Sequence, residues 1–299
     1  MMLVHVKDNH YDLVDHAGGF DFDHTNSFLE SVKHIPVEVH TEYILSQEVR
    51  QCYPNIEFKF LYHAKQLILN SLANYKNLHQ TNFDNFICCF NGSEHVGRKL
   101  LIGALRKRNW FDPKYCSKNF SYTVDMLDGH IDDLADNPRL YRKFFDVSDN
   151  NFAQELNSFG YDRFDHSNNI YKIDSKISES FVHVVSETLS SSYHPFVTEK
   201  FLYSVVTKGL FVAYAQPGWH QHVLQHFGFK PYQILFNYEF DLVANPVLRL
   251  VELLCMLSKY SGLSKSDWHD LYELERDTIE FNYNHYFSQD YLKCLAKYA

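Results

Sequence analysis

No run of apolar residues in this chain approaches the roughly 20 needed to cross a bilayer. The longest are short, such as Leu210 to Ala215. The first ten residues include His, Lys and Asp and lack the apolar core of a signal peptide. Positive charge is scarce: 28 Lys and Arg stand against 37 Asp and Glu, a net charge of -9. A general nucleic-acid binder is usually basic, overall or in a block, so nucleic acid is not an expected partner. The six cysteines form no CxxC pair, so neither a zinc ribbon nor a redox motif has a signature. A reduced, cytoplasmic compartment is expected. Internal repeats and low-complexity runs are also missing.

What is present reads as globular. Hydrophobic residues make up 45% of the 299 and charged residues 22%, which excludes a disordered chain. The length suits one large domain or two of roughly 150 residues, either able to bury a core. Two surpluses stand out: 16% aromatic residues, with 21 Tyr and 25 Phe, and 18 His. The one His-x-His is His220-Gln221-His222, with His226 a helical turn further on. His222 and His226 would share a helix face, but no third ligand accompanies them and no metal site is expected.

Periodicity divides the chain unevenly. Leu61, Ala64, Leu67, Ile68, Leu72 and Tyr75 recur at helical spacing. Asn85 to Phe90 is a short apolar run ending at the turn signal Asn91-Gly92, and Val96 to Arg106 then reads as a helix. Phe111 to Asn169 is polar and rich in Asp and Asn, which predicts loop and a domain boundary near Asp165 to Asn169. Beyond it the pattern is regular. Phe181 to Val185 reads as a strand, and Thr198 to Thr207 as a helix with Thr198 as N-cap. Lys208-Gly209 stops that helix, Leu210 to Tyr214 is the next strand, and Trp219 to Phe227 a helix closed by Gly228. Gln233 to Phe236 reads as a third strand. Asn245-Pro246 starts a helix as N-cap and N1. Such alternation predicts a parallel sheet with right-handed crossovers. Two further helical stretches at most fit the tail.

Open α/β sheets bind ligands beyond the carboxyl ends of their strands. That edge would receive Ser186-Glu187-Thr188 and Gln216-Pro217-Gly218, and the helix from Thr198 would point its N-terminus there. Lys200 opposes the helix dipole in that first turn and makes sense if it meets a phosphate. Glu187 would accept from ribose hydroxyls. Asp21-Phe22-Asp23, after Gly18-Gly19, has two readings: a divalent-metal pair, or a general base for an acceptor hydroxyl, with His16 or His24 as substitutes.

The segment Phe181 to Val206, FVHVVSETLSSSYHPFVTEKFLYSVV, resembles the donor-binding segment of family 10 fucosyltransferases and related viral and bacterial glycosyltransferases. The triplets that carry it are Ser186-Glu187-Thr188 and Thr198-Glu199-Lys200. The continuation is similar too, through Pro217-Gly218, Gly228-Phe229 and the acidic pair Glu239 and Asp241, with Arg249 beyond. Phe86 to Phe111 is more loosely similar to a strand-turn-Arg-helix feature of such enzymes. The Phe and Asn of the family's first triplet are Ser186 and Thr188 here, so fucose is not carried over.

The resemblance implies an α/β GT-B architecture, two Rossmann-like domains facing each other across a cleft. Residues 1–165 would form the acceptor side and 166–275 the nucleotide-sugar side. Residues 276–299 would form a helical tail packing back on the N-terminal domain. It implies metal-independent transfer of a sugar from a nucleotide sugar, a GDP-sugar by analogy, to a hydroxyl of a glycan acceptor. No cofactor would be permanently bound. Lys200, with Arg98 from the facing domain, would neutralise the departing diphosphate. Thr198 would add backbone donors, and Glu187 and Glu199 would hold hydroxyls. Gly218 would allow close backbone approach, and Asp241 would complete the donor site. Asp21 or Asp23 would act as base. Phe20, Phe22, Tyr193 and Trp219 would flank the cleft and stack on sugar. Two rivals remain: a viral-type glycosyltransferase acting on modified DNA bases, kept alive by the basic residues Arg98 to Arg108, and a non-catalytic nucleotide-binding α/β module.

Overall fold

Two four-stranded sheets organise the computed structural model, which describes residues 6–7, 10–13, 29–41, 47–60, 72, 74–77, 81–92, 96–118, 166–187 and 197–296. The first sheet holds β1 (Val6–Lys7), β2 (His10–Leu13), β3 (Val37–Thr41) and β4 (Ile56–Phe60) in that order. β1 is antiparallel to β2, and the β2–β3 and β3–β4 pairs are parallel. Helix α1 (Gln47–Cys52) lies between β3 and β4 in the chain. Leu29, Val32, Val37, Val39, Tyr53 and Ile56 form a small separate core beneath this sheet.

The second sheet is wholly parallel. Its strands are β5 (Asn85–Asn91), β6 (Cys116–Lys118), β7 (Ser180–Ser186) and β8 (Phe211–Tyr214), in the spatial order β6-β5-β7-β8. β7 is buried along its whole length and β5 from its second residue on. That explains why both read as near-continuous apolar runs instead of alternating ones. From β5 the chain passes through α2 (Val96–Lys107) to β6 on one side. It then returns through α3 (His166–Ser178) to β7, and through α4 (Lys200–Thr207) to β8 on the other. The direction of winding therefore reverses between β5 and β7.

This topology corrects the expected division at residue 165. Strands from both sides of that position pair in one sheet, Asn85 opposite Ser180 and Cys88 opposite His183. The polar stretch after Phe111 holds β6 and the start of α3, and residues 119–165 between them lie outside the described residues. Composition alone does not separate a long intra-sheet connection from an inter-domain linker.

Local chemistry fixes the remaining elements. α4 ends at Lys208, which takes the left-handed conformation (φ 57°) and donates to Ser204 and Val205 carbonyls. The turn of π-helix His220–Leu224 runs into Gln225–Phe227 and closes at Gly228 with φ 78°, as its glycine implies. α5 (Pro246–Ser258) is capped by Asn245, whose side chain accepts from Val247 and Leu248. Arg249 in its first turn is buried, with Nε on the Ala215 carbonyl at 2.9 Å and a terminal nitrogen on the Val243 and Ala244 carbonyls. One guanidinium thus ties the end of β8 to the loop before α5.

The third expected strand, Gln233 to Phe236, does not form. Its backbone groups find side chains instead. Glu275 Oε1 accepts from Ile234 N–H at 2.7 Å and Leu235 N–H at 3.1 Å, and the Tyr260 hydroxyl donates to the Leu235 carbonyl. The apolar run was real, but a buried carboxylate replaces the ladder. Beyond α6 (Lys265–Leu274), the tail forms α7 (Arg276–Tyr286) and α8 (Gln289–Ala296). Among the described residues the tail packs on the second sheet's own unit. Asn282 exchanges two bonds with the Lys230 backbone at 2.8 Å each, and Lys208 pairs with Glu280 at 2.7 Å.

Among the described residues most aromatic side chains are buried. Trp219 is fully buried and packs edge-on against Phe201 at 5.5 Å, so it does not offer a face to sugar. Phe20, Phe22 and Tyr193 lie outside the described residues, as does the helical pattern from Leu61 to Ile68. Arg249→Met should lower unfolding stability by roughly 2–4 kcal/mol, because a buried guanidinium that ties the buried Ala215 carbonyl to the Val243 and Ala244 carbonyls is lost. Urea unfolding measures this; a change under about 0.5 kcal/mol would refute the tie.

Candidate active site

The reversal between β5 and β7 fixes where a ligand should sit. At such a switch point the two flanking helices leave on opposite sides and open a crevice beyond the strand ends. β5 ends at Asn91 and β7 at Ser186, which are followed in sequence by the starts of α2 and α4. Arg98 stands in the first turn of α2 and Lys200 at the first position of α4. Neither first turn carries an acidic residue. Two cations at helix N-termini oppose the helix dipoles, an arrangement that favours an added anion.

The two cations lie within electrostatic reach of each other. Arg98 is 2% exposed, and its positive charge depresses the Lys200 ammonium. Burial is the main reason Lys200 is held below the usual lysine range; Glu199 and Glu187 act the other way. Lys200 Nζ donates to Thr198 Oγ1 at 3.0 Å and lies 3.8 Å from Glu199 Oε1. Glu187 follows directly on β7 and is 2% exposed. Burial raises its carboxyl above the ordinary range, against the pull of Lys200 and Thr198. Arg98 therefore belongs to the same sheet unit as Glu187, Glu199 and Lys200, and not to a facing domain. The expected place of Arg98 in a first turn after a strand is found, but in the same sheet unit.

Two expected roles change. Thr198 is not the N-cap: Glu199 holds that position, without a side-chain bond, and the helix begins at Lys200. Thr198 Oγ1 instead donates to Glu187 Oε2 at 2.7 Å, and its N–H to Oε1 at 3.3 Å. Glu187 is thus a strap between the end of β7 and the entry to α4, with both oxygens already accepting. It sets the position of Lys200 before it can hold a ribose.

Gly218 and Asp241 stand elsewhere. Gly218 has φ 71° and donates its N–H to the Asp241 carbonyl at 2.6 Å. A Cβ there would come within 2.8 Å of the His222 ring, so the glycine serves its own turn. Asp241 is buried and faces His220 with both oxygens. Oδ2 accepts the His220 backbone N–H at 2.8 Å, and Oδ1 lies 2.9 Å from Nδ1 in a bent geometry. His220 Nε2 accepts the Ala213 N–H at 2.8 Å. The ring proton therefore sits on Nδ1, toward the carboxylate. A His–Asp pair of this kind orients a general base in hydrolases, but here the distal nitrogen is occupied by β8. Asp241 is a structural residue.

A cleft of about 760 Å³ lies against this pair, lined among others by Leu224, Phe229, Ile234, Tyr238 and Leu242. Of the expected site residues it touches only Asp241. Asp21 and Asp23, with His16 and His24, lie outside the described residues. Among the described residues no group of three or more His, Cys, Asp or Glu side chains is placed to hold a metal. No helix there is long and apolar enough to cross a membrane.

Asp241→Ala should destabilise the fold by roughly 2–3 kcal/mol, since it leaves a buried backbone N–H and imidazole without an acceptor. It should leave anion binding in the crevice unchanged. Chemical unfolding alongside phosphate titration separates the two; lost binding at full stability would return Asp241 to the site. Comparison with family models, curated proteins and solved structures gives no match for this chain.

Proposed function

We propose that this chain is a metal-independent glycosyltransferase of the GT-B type. It moves a sugar from a nucleotide-sugar donor, a GDP-sugar by resemblance, to a hydroxyl of a glycan acceptor. The observation that carries this reading is the placing of Arg98 and Lys200 in the first turns of the two helices that follow β5 and β7 at the switch point, with Glu187 and Glu199 acting on Lys200. In this reading the β5–β8 sheet is the donor side, and the β1–β4 sheet with its own core belongs to the acceptor side.

The chemistry follows from the charges. As the glycosidic bond to the donor breaks, negative charge builds on the leaving diphosphate. Fixed cations aimed at that charge act most strongly in the transition state and need no reorganisation. Arg98 offers a planar fork suited to two phosphate oxygens, and Lys200 a point charge. Glu199 and Glu187 offset the effect of Arg98 on the Lys200 ammonium. The acceptor hydroxyl's proton is assigned to Asp21 or Asp23.

Thermal shift against GDP, UDP, CDP and ADP tests the reading. A diphosphate at a few hundred times its Kd should stabilise the fold by roughly 3 kcal/mol. Lys200→Ala should remove most of that shift, and no shift with any of the four overturns the proposal. The pH dependence has a definite sign. Burial lowers the Lys200 ammonium and raises the Glu187 carboxyl in the free protein, while a bound diphosphate favours both protonated forms. Binding should therefore take up protons and tighten as pH falls through the depressed Lys200 range. Isothermal titration in buffers of different ionisation enthalpy reads the proton uptake directly; proton release on binding would contradict it.

A further inference from the structure

At or near the carboxyl end of each strand of the second sheet lies a buried polar side chain with an atom that lacks a hydrogen-bond partner. These atoms are Asn91 Oδ1 on β5, Ser117 Oγ on β6, Ser186 Oγ on β7, and both Oε1 and Nε2 of Gln216 just past β8. Buried polar groups in folded proteins are nearly always paired, so each exception calls for a reason. The Ser178 and Ser180 hydroxyls, near the other end of β7, also lack partners. A lone hydroxyl is a small burden. Gln216 differs in kind, because its whole amide, two donors and an acceptor, is 0% exposed and unpartnered among the described residues.

The position is informative. Ser186 pairs with Tyr214, and the Glu187 N–H donates to the Tyr214 carbonyl at 3.1 Å. Gln216 thus lies two residues beyond the last paired position of β8, on the sheet edge that carries Glu187. A leucine would fill the same space without a desolvated amide. We infer that Gln216 is a specificity-determining contact of the crevice, pairing with a ligand group that presents a hydrogen-bond donor and an acceptor side by side. This rests on the nucleotide-sugar reading. Two parts of such a ligand have that chemistry: the pairing edge of the base and neighbouring hydroxyls of the sugar.

Gln216→Leu separates them. Its melting temperature should equal or exceed that of the parent protein, because an apolar group replaces an unpartnered amide. The probes are GDP, UDP, CDP and ADP, with GDP-mannose and UDP-glucose. If the amide reads the base, the variant loses about tenfold or more in affinity for the preferred diphosphate, and the ranking of the four flattens. If it reads the sugar, the diphosphates bind as before and the nucleotide sugar loses its advantage over its own diphosphate. Should both the ranking and the advantage survive, Gln216 holds only a buried water and the inference is overturned. Should the parent protein bind none of the six, the glycosyltransferase reading fails first and this one with it. If Gln216→Leu folds poorly, Gln216→Met gives the same readouts with an unbranched side chain.

Discussion

The parallel pairing of β5 with β7 is the constraint on which the rest depends. It joins segments far apart in the chain, Asn85 beside Ser180 and Ile87 beside Val182. Parallel neighbours cannot be linked by a tight turn, so each connection must be a crossover. Because the chain winds outward to β6 and then outward to β8, the helices that leave β5 and β7 diverge. The gap between them is a direct result of strand order. Arg98 and Lys200 reach it because each sits within the first turn of its helix, close to the strand ends.

That gap is electrostatically uneasy in the free protein. Two cations, two carboxylates and four strand-end polar groups are gathered where the surrounding rows are Val, Ile, Phe and Cys. Burial works against charge on both Lys200 and Glu187. Glu187 makes the arrangement tolerable by accepting twice from Thr198.

Much of this was legible in the sequence. β5, α2, β7, β8 and α5 follow their patterns within a few residues, because long apolar runs and strong caps such as Asn245-Pro246 speak for themselves. Glu187 and Lys200 stand out by residue type and by position after a strand, and the resemblance adds Glu199 and Arg98. Three things were hidden. The strand expected at Gln233 to Phe236 was lost to Glu275, a distant carboxylate that no local pattern reports. Asp241 entered the donor site only through the resemblance; its pairing with His220 depends on a turn closed by Gly218. The division at residue 165 failed because polarity marks solvent exposure and says nothing of which strands later pair.

The His220 contact with β8 has a consequence for the molecule's behaviour in company. β8 is an edge strand, and a free edge offers unpaired amides on which another chain can add. The Ala213 N–H is already held by His220 Nε2, and the loop that would otherwise extend the sheet has its own amides on Glu275. The open side of the sheet is therefore closed by side chains, and the protein is shielded there from growing into an aggregate strand by strand.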